Sequence, residues 1–418
     1  MTLSMIYNNS PLTPRTRMAI AMRKGKPDRV PVMCQLSIGH YLLNTPVTPA
    51  RMWFSSEGFT EALVTLQRRY RFDGILVNLP GHPEDWTREI ARIEERTEAE
   101  VVWWKDGSYT VCPRDDSAAT FRKHPVTGEY VQDNRIRLAI DEVEIDRLFY
   151  ETPHTCGGLK YPYFSYDIER GYRSPSRPEE WFPESEFRTI ELVQKATGGA
   201  VSIQGEFFSP FTQFMELLGY ENALVALITH PEKSKAILGR YAEGCIYYGR
   251  ELARMGVDAI LMSSAFAGGG FISRQMYGEY VLPFEKACWD GIRREFPSVP
   301  CYTHTCGAIG DRLDLMEATG LDGIDTLDPP PLGTVELDRA KKFLDNRVFI
   351  KGNIDSVNTL LLKDLGAARE DIIRRLAWGK PGGAYILSTA CSVAPRVNPD
   401  RLEMMAGLCE EYGRYGKE

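Results

Sequence analysis

Short catalytic signatures are missing from this sequence. It holds no Cys-x-x-Cys, no His-Glu-x-x-His, no Gly-x-Ser-x-Gly, no Walker A loop and no Gly-x-Gly-x-x-Gly. Their absence removes the simplest forms of redox dithiol, zincin, α/β-hydrolase and nucleotide-binding enzyme. No apolar run reaches the roughly 18 residues that a membrane span needs. Basic charge is not in excess either: 50 Lys and Arg against 57 Asp and Glu give −7, with an isoelectric point near 5.6. Neither nucleic acid nor an anionic membrane is therefore an expected partner. Nine cysteines is an odd number for a disulfide framework, so most are expected to be reduced. Met1 to Pro14 carries Asn8, Asn9 and Ser10 and no apolar segment, unlike a signal peptide. A cytoplasmic protein that binds small or neutral partners is expected.

What is present is ordinary globular material, 43% hydrophobic, 11% aromatic and 26% charged. The 418 residues suit one (β/α)₈ barrel with an insertion. A cadence of amphipathic helix, Gly, Asp and short apolar strand recurs at Met255-Gly256-Val257-Asp258, at Thr319-Gly320-Leu321-Asp322 and near Phe72-Asp73-Gly74. Gly suits the left-handed position after a helix, and short apolar runs suit buried parallel strands. The helix before Gly256 starts at Pro231 and carries the stripe Ile237, Tyr241, Cys245, Tyr248, Leu252 and Met255. The last helix is capped by Asn398, starts at Pro399, and carries Leu402, Met405, Cys409 and Tyr412.

Eight strand candidates follow: Val30–Leu36, Gly74–Asn78, Ala200–Gln204, Ala259–Ser263, Pro300–His304, Gly323–Leu327, Val348–Gly352 and Ala384–Ser388. Strands alternating with helices imply a parallel sheet, and eight of them favour a closed TIM barrel. The chain divides into 1–80 with the first two strands, an insertion over 81–199, and 200–418 with strands three to eight. Asp106-Gly107 predicts a type I′ hairpin in the insertion and Thr127-Gly128 a second one. Tyr161, Tyr163, Phe164, Tyr166, Tyr172, Trp181 and Phe182 crowd its later half. Leaving after the second strand, the insertion reads as a lid over the site or as a β subdomain packing its own aromatics. A contact between two copies of the chain, making a homodimer, is a further reading of the same segment.

One constellation stands out. His304 and Cys306 lie two apart at a strand end, so alternation points them at one centre. Cys391 follows the last strand, and strand ends converge at a barrel's C-terminal mouth. Two thiolates and an imidazole suit Zn²⁺ with an open fourth position, for which Asp328 is a reasonable ligand. Buried cysteines and a hydrogen-bonded strand-end histidine are the other reading of these letters. His154-Thr155-Cys156-Gly157 repeats the pattern without an apolar strand before it and reads as coincidence. Polar residues after other strands are weaker site candidates: Gln35, Gln204, Glu206, Ser263, Ser264, Asn353 and Asp355, the last also a natural helix cap. Gly268-Gly269-Gly270 reads as a flexible loop more than an anion cradle, and His40 and His82 read as structural.

Several segments together carry a resemblance. Arg17-Met18-Ala19-Ile20, Lys26-Pro27-Asp28-Arg29-Val30-Pro31-Val32, His304-Thr305-Cys306-Gly307, Lys351-Gly352-Asn353-Ile354-Asp355 and Gly382-Gly383-Ala384-Tyr385-Ile386-Leu387-Ser388 resemble motifs of the uroporphyrinogen decarboxylase superfamily. The likeness covers about 15–80 and 200–415 and implies a (β/α)₈ barrel. Its decarboxylases bind a polycarboxylate through arginines after the first strand, whereas this chain has none between Val30 and Pro49. Its cobalamin-dependent methyltransferases carry His-x-Cys and a distant Cys, which His304, Cys306 and Cys391 match. The resemblance thus implies zinc, and a cobalamin brought by a separate corrinoid protein, since no corrinoid-binding His motif occurs here. Glu206, Asp328 and Asn353 are the catalytic candidates, and Gln35, Gln204 and Ser263 the substrate-binding ones. The expected reaction is methyl transfer between a small substrate and the corrinoid. Zinc would activate a thiol that takes the methyl, or an aryl methyl ether that gives it. A metal-free decarboxylase and a non-catalytic zinc- or ligand-binding relative are the alternatives.

Overall fold

The computed structural model describes residues 12–124, 126–132, 137–150 and 181–416, with the backbone of 166–167 and 171–172. Seven parallel strands follow one another in sequence order around a curled sheet: Gly74–Val77, Ser202–Phe208, Ala259–Ser263, Cys301–Thr305, Gly323–Thr326, Phe349–Ile354 and Tyr385–Thr389. The eighth stave is the extended segment 30–36. It bridges in parallel at Val32↔Leu387 and Leu36↔Val393. On its other side the Val32 carbonyl accepts from Asp73 N. Its ladder is broken because Pro31 has no N–H to give; the Pro31 carbonyl still accepts from Leu387 N. These bonds close a (β/α)₈ barrel.

The strands are buried on both faces, as a covered parallel sheet requires. Ile75, Val77, Ile203, Ile260, Met262, Ile324, Ile350 and Leu387 belong to the shell shared with the helices. Met33, Leu76, Leu261, Tyr302, Phe349 and Ile386 form a separate inner cluster with Met18, Ala21 and Met22 of the helix Pro14–Met22. That helix plugs the barrel at the strand starts: Arg15 N donates to the Ala200 carbonyl, and Arg17 Nη1 to Asp73 Oδ1 at 2.6 Å.

An ion cluster seals the same end. Asp73, fully buried, also accepts from Arg29 Nη1 at 2.9 Å and from Val32 N at 2.8 Å. Arg17 clamps Asp28 with Nε at 2.6 Å and Nη2 at 2.7 Å. The Lys26-Pro27-Asp28-Arg29 segment therefore serves closure of the barrel floor, far from the strand ends where chemistry is placed.

The helices follow their periodicity. Pro231–Arg254 buries Ile237, Tyr241, Cys245, Tyr248 and Leu252. Asn398 caps Pro399–Tyr412, which buries Leu402, Met405 and Cys409. Tyr412, expected in that stripe, is exposed in the last turn and stacks under Arg369 instead.

After Val77 the chain forms an antiparallel five-stranded sheet of Ile90–Glu95, Ala99–Trp104, Tyr109–Pro113, Ala119–Lys123 and Tyr130–Gln132. Only Gly107 of the first turn has a left-handed φ, of 84°. Trp104 N donates to the Ser108 carbonyl, so the loop has three residues and the type I′ expectation fails. The Thr127-Gly128 turn joins the last two strands, with Gly128 at φ 72°. Across this sheet Tyr109 stacks on Phe121 and meets Trp103 at a tilt and Tyr130 edge-on. The sheet rests on the helix Pro49–Phe54, where Phe54 meets Trp104 edge-on. Arg188–Thr197, within the 81–199 stretch, packs on the barrel helix Ser56–Tyr70. His154-Thr155-Cys156-Gly157, Tyr161, Tyr163 and Phe164 lie outside the described residues. No described helix is long and apolar enough to cross a membrane.

Candidate metal centre at the barrel mouth

One step of alternation above the apolar layer, polar residues replace apolar ones. Glu206 follows Gln204 by two, Ser263 follows Leu261, His304 follows Tyr302, Asp325 follows Gly323, and Lys351 follows Phe349. Pairing aligns Ser263 with His304, His304 with Asp325, and Asp325 with Lys351. The lower layer is a packed core and the upper one a floor for chemistry.

At the rim above that floor, His304 Nε2 lies 3.2 Å from Cys306 Sγ. Cys391 Sγ is 3.7 Å from Cys306 Sγ and 3.9 Å from His304 Nε2. Among the described residues this is the one group of three or more His, Cys, Asp or Glu donors within 4.8 Å of one another. A tetrahedral site with zinc–sulfur bonds of roughly 2.3 Å has donor–donor edges of about 3.7 Å, so these three atoms span one face of such a site. The residue types and spacing fit zinc with the fourth position free.

The local chain explains the convergence. His304 is on a strand and Cys306 just past its end, so both project from one side. Gly307 then takes a left-handed φ of 80°, which turns the chain away. Asp328 Oδ2 accepts from Gly307 N at 2.6 Å and holds that turn. From below, the Gly268 backbone approaches so closely that a Cβ there would sit 2.3 Å from the Cys306 carbonyl. The Gly268-Gly269-Gly270 loop is thus a tight support: Gly269 N donates to the Ala308 carbonyl.

The protons of the triad are coupled. The hydrogen bond from Cys306 holds the Cys391 thiol well below its usual range, against burial and with help from His304. The same bond and burial push Cys306 up. Burial opposes a charged His304, yet hydrogen bonds to Asp325 and Cys391 raise it to about 10. The two cysteines thus hold one thiolate readily, with the other thiol hydrogen-bonded to it. Burial pushes Glu206 up to about 7, against His304 and a hydrogen bond with Ser263. Burial likewise lifts Asp328 to about 6, the Gly307 hydrogen bond opposing it.

The remaining candidates divide. Gln35 stands beside the Cys391 loop, its carbonyl accepting from Val393 N, and its side-chain Oε1 is buried without a hydrogen bond among the described residues. Asp328 adjoins the triad but is outside the donor group. Gln204 is not at the mouth, because its strand runs four residues further to Phe208. It sits in the packed lower layer, accepting from Tyr302 Oη and reaching Met22 Sδ at 3.6 Å. Asn353 is fully buried, with Nδ2 on the Leu327 and Val335 carbonyls and Oδ1 accepting from Arg375. Its amide is spent on the framework. Asp355 caps the next helical turn through Val357 N and Asn358 N, and Ser264 bonds Ser209 behind the strand. His40 is buried between Tyr70 Oη and the Pro395 carbonyl, and burial lowers it to about 4. Asp325 and Lys351, passed over in the sequence, prove to be part of the polar layer. Their signal was a charge inside an otherwise apolar strand.

The uroporphyrinogen decarboxylase (URO-D) family model matches residues 167–412, more than half of the chain. The chain belongs to the uroporphyrinogen decarboxylase family. Within that family it is similar to the methylated-thiol–coenzyme M methyltransferase of Methanosarcina mazei, 24% identical over 53% of this chain and 56% of that protein. It is 24% identical to the methylcobamide:CoM methyltransferase MtbA of Methanosarcina acetivorans over 53% of this chain and 62% of that protein. It is 23% identical to the uroporphyrinogen decarboxylase of Ruthia magnifica over 54% of this chain and 64% of that protein. The matches thus span 56% to 64% of these relatives' lengths. A solved structure of a methyltransferase from Methanosarcina mazei aligns over 96% of this chain and 99% of that one, with a TM-score of 0.63 at 16% identity. That likeness is one of fold. Family members of both kinds, methyltransferase and decarboxylase, are thus among the relatives.

Proposed function

We propose that this chain is a zinc-dependent methyltransferase of a corrinoid system. It would move a methyl group between a small molecule and a cobalamin carried by a separate protein. One observation carries the reading: two sulfurs and an imidazole converge at the mouth at tetrahedral spacing. A metal-free decarboxylation has no use for such a set, and the segment from Val30 to Pro49 lacks arginines for a polycarboxylate.

Held by His304, Cys306 and Cys391, zinc would supply a Lewis acid toward a substrate oxygen or sulfur. The chain's own residues would do the rest. Gln35 Oε1 and the Ser263 hydroxyl offer polar contacts to a substrate. Glu206, kept neutral by its burial, can give a proton to the oxygen that loses its methyl. Asp328 holds the Cys306 turn. Tyr150 and Phe187 from the insertion pack on Tyr248 near Glu206, and an aryl methyl ether is the proposed methyl donor.

Protein purified without chelator is expected to hold about one zinc per chain. Elemental analysis finding none, on protein that decarboxylates, would contradict the reading.

The pH dependence has a definite sign. Burial pushes Glu206 up to about 7 against a charged His304; a zinc-bound His304 is neutral, so that opposition is removed and Glu206 holds its proton to higher pH. The acid form is lost as pH rises, so demethylation of an ether should decline on the alkaline side of neutral. Glu206→Gln, which cannot ionise, should be slower and should lose this decline. An unchanged profile in the variant would remove Glu206 from the proton path.

A further inference from the structure

His304, Asp325 and Lys351 occupy one row across three adjacent strands, each opposite the next. Asp325 Oδ2 lies 3.3 Å from His304 Nδ1. Lys351 Nζ donates to both Asp325 oxygens at 3.0 Å. All three are buried, Lys351 and Asp325 almost completely. A lone ion pair sealed inside a barrel is a poor stabiliser, since desolvation of both charges offsets their attraction and an apolar pair commonly does as well. Packing therefore does not account for it, whereas its contact with a ligating histidine does.

We propose that Asp325 and Lys351 are positioning residues of the metal centre. Asp325 accepts the Nδ1–H of His304, which leaves Nε2 as the donor atom facing Cys306 and Cys391. Lys351 cancels the carboxylate's charge. A divalent ion, two thiolates and a neutral imidazole sum to zero, and a bare carboxylate would make the surroundings negative where a substrate oxygen or sulfur must gather negative charge. The pair gives His304 its orientation without that penalty. This inference rests on the metal reading of the triad.

The test compares the full-length wild type with Asp325→Leu/Lys351→Met and with Lys351→Met alone. Zinc affinity is measured by chelator competition, the cobalt(II)–thiolate absorption band reports the ligand set, and urea midpoints report folding. The apolar double variant is expected to fold with a midpoint near wild type, while its zinc affinity falls by about 10- to 100-fold and its cobalt band shifts. Lys351→Met keeps the carboxylate, so it should retain most of the zinc affinity while its midpoint drops. Wild-type zinc affinity in the double variant would overturn the proposal and leave the metal reading standing. Zinc loss in Lys351→Met as deep as in the double variant would overturn the division of roles. No saturable zinc binding by the wild type would overturn the metal reading and this inference together.

Discussion

Replacing Cys306 or Cys391 with serine is expected to lower zinc affinity by more than about 100-fold, because even an outer hydrogen-bond partner of a zinc ligand contributes 10- to 100-fold. Each thiolate supplies one of three protein ligands and half of the charge that neutralises the ion. The fold should survive. Both residues follow strand ends, both are partly exposed, and serine fills nearly the same volume without disturbing the Gly307 turn. The Asp328 carboxylate stays bonded to Gly307 N and is not placed to take over. Zinc content after dialysis, with circular dichroism to confirm folding, checks this. Full metal retention in both variants would show that the three donors converge for some other reason.

Asp73→Ala should be the most damaging single change to stability. The carboxylate is fully buried and accepts four hydrogen bonds: from Arg17 Nη1, Arg29 Nη1 and Nη2, and Val32 N. Its loss takes the Asp73 carboxylate from Arg29 and leaves Arg17 with Asp28 alone, and it unpins the segment that closes the barrel. Removing one partner of a buried ion pair costs about 3–5 kcal/mol. Urea denaturation should show this as a lower midpoint. A change below about 1 kcal/mol, the range of surface pairs, would mean that the floor cluster does not hold the first stave in place.

Much of this architecture is written in local pattern. The Gly-Asp turns before Ala259 and Gly323 mark where strands begin because the left-handed Gly ends each helix, and the apolar runs after them are buried on both faces. Strand ends are less legible. Gly205-Glu206-Phe207-Phe208 continues a strand whose apolar run breaks at Gln204, so Gln204 reads as a mouth residue although neighbouring strands carry it into the packed lower layer. Asn353 follows a strand run just as a site residue would, and only the tertiary contacts reveal that Arg375, on a helix behind the sheet, takes its oxygen. The triad was readable because i and i+2 on a strand share a face and barrel strands converge. The Asp325–Lys351 support was not, because pairing between residues 26 apart is fixed by strand register, which no single segment contains. The three-residue hairpin at Asp106-Gly107 shows the same limit: the letters allow two loop lengths, and the register of Trp103 against Tyr109 selects one.

Methyl transfer itself is the central claim, and one experiment addresses it directly. The zinc-loaded protein is mixed with cob(I)alamin and, in turn, methoxyaromatics, methylamines and methylthiols, and methylcobalamin is followed by its visible spectrum. The reverse reaction supplies methylcobalamin and thiols, and uroporphyrinogen is offered in parallel. The prediction is methylcobalamin formation from a methoxyaromatic that depends on Cys306 and Cys391, with uroporphyrinogen left unchanged. Decarboxylation of uroporphyrinogen, with no corrinoid reaction in either direction, would contradict it.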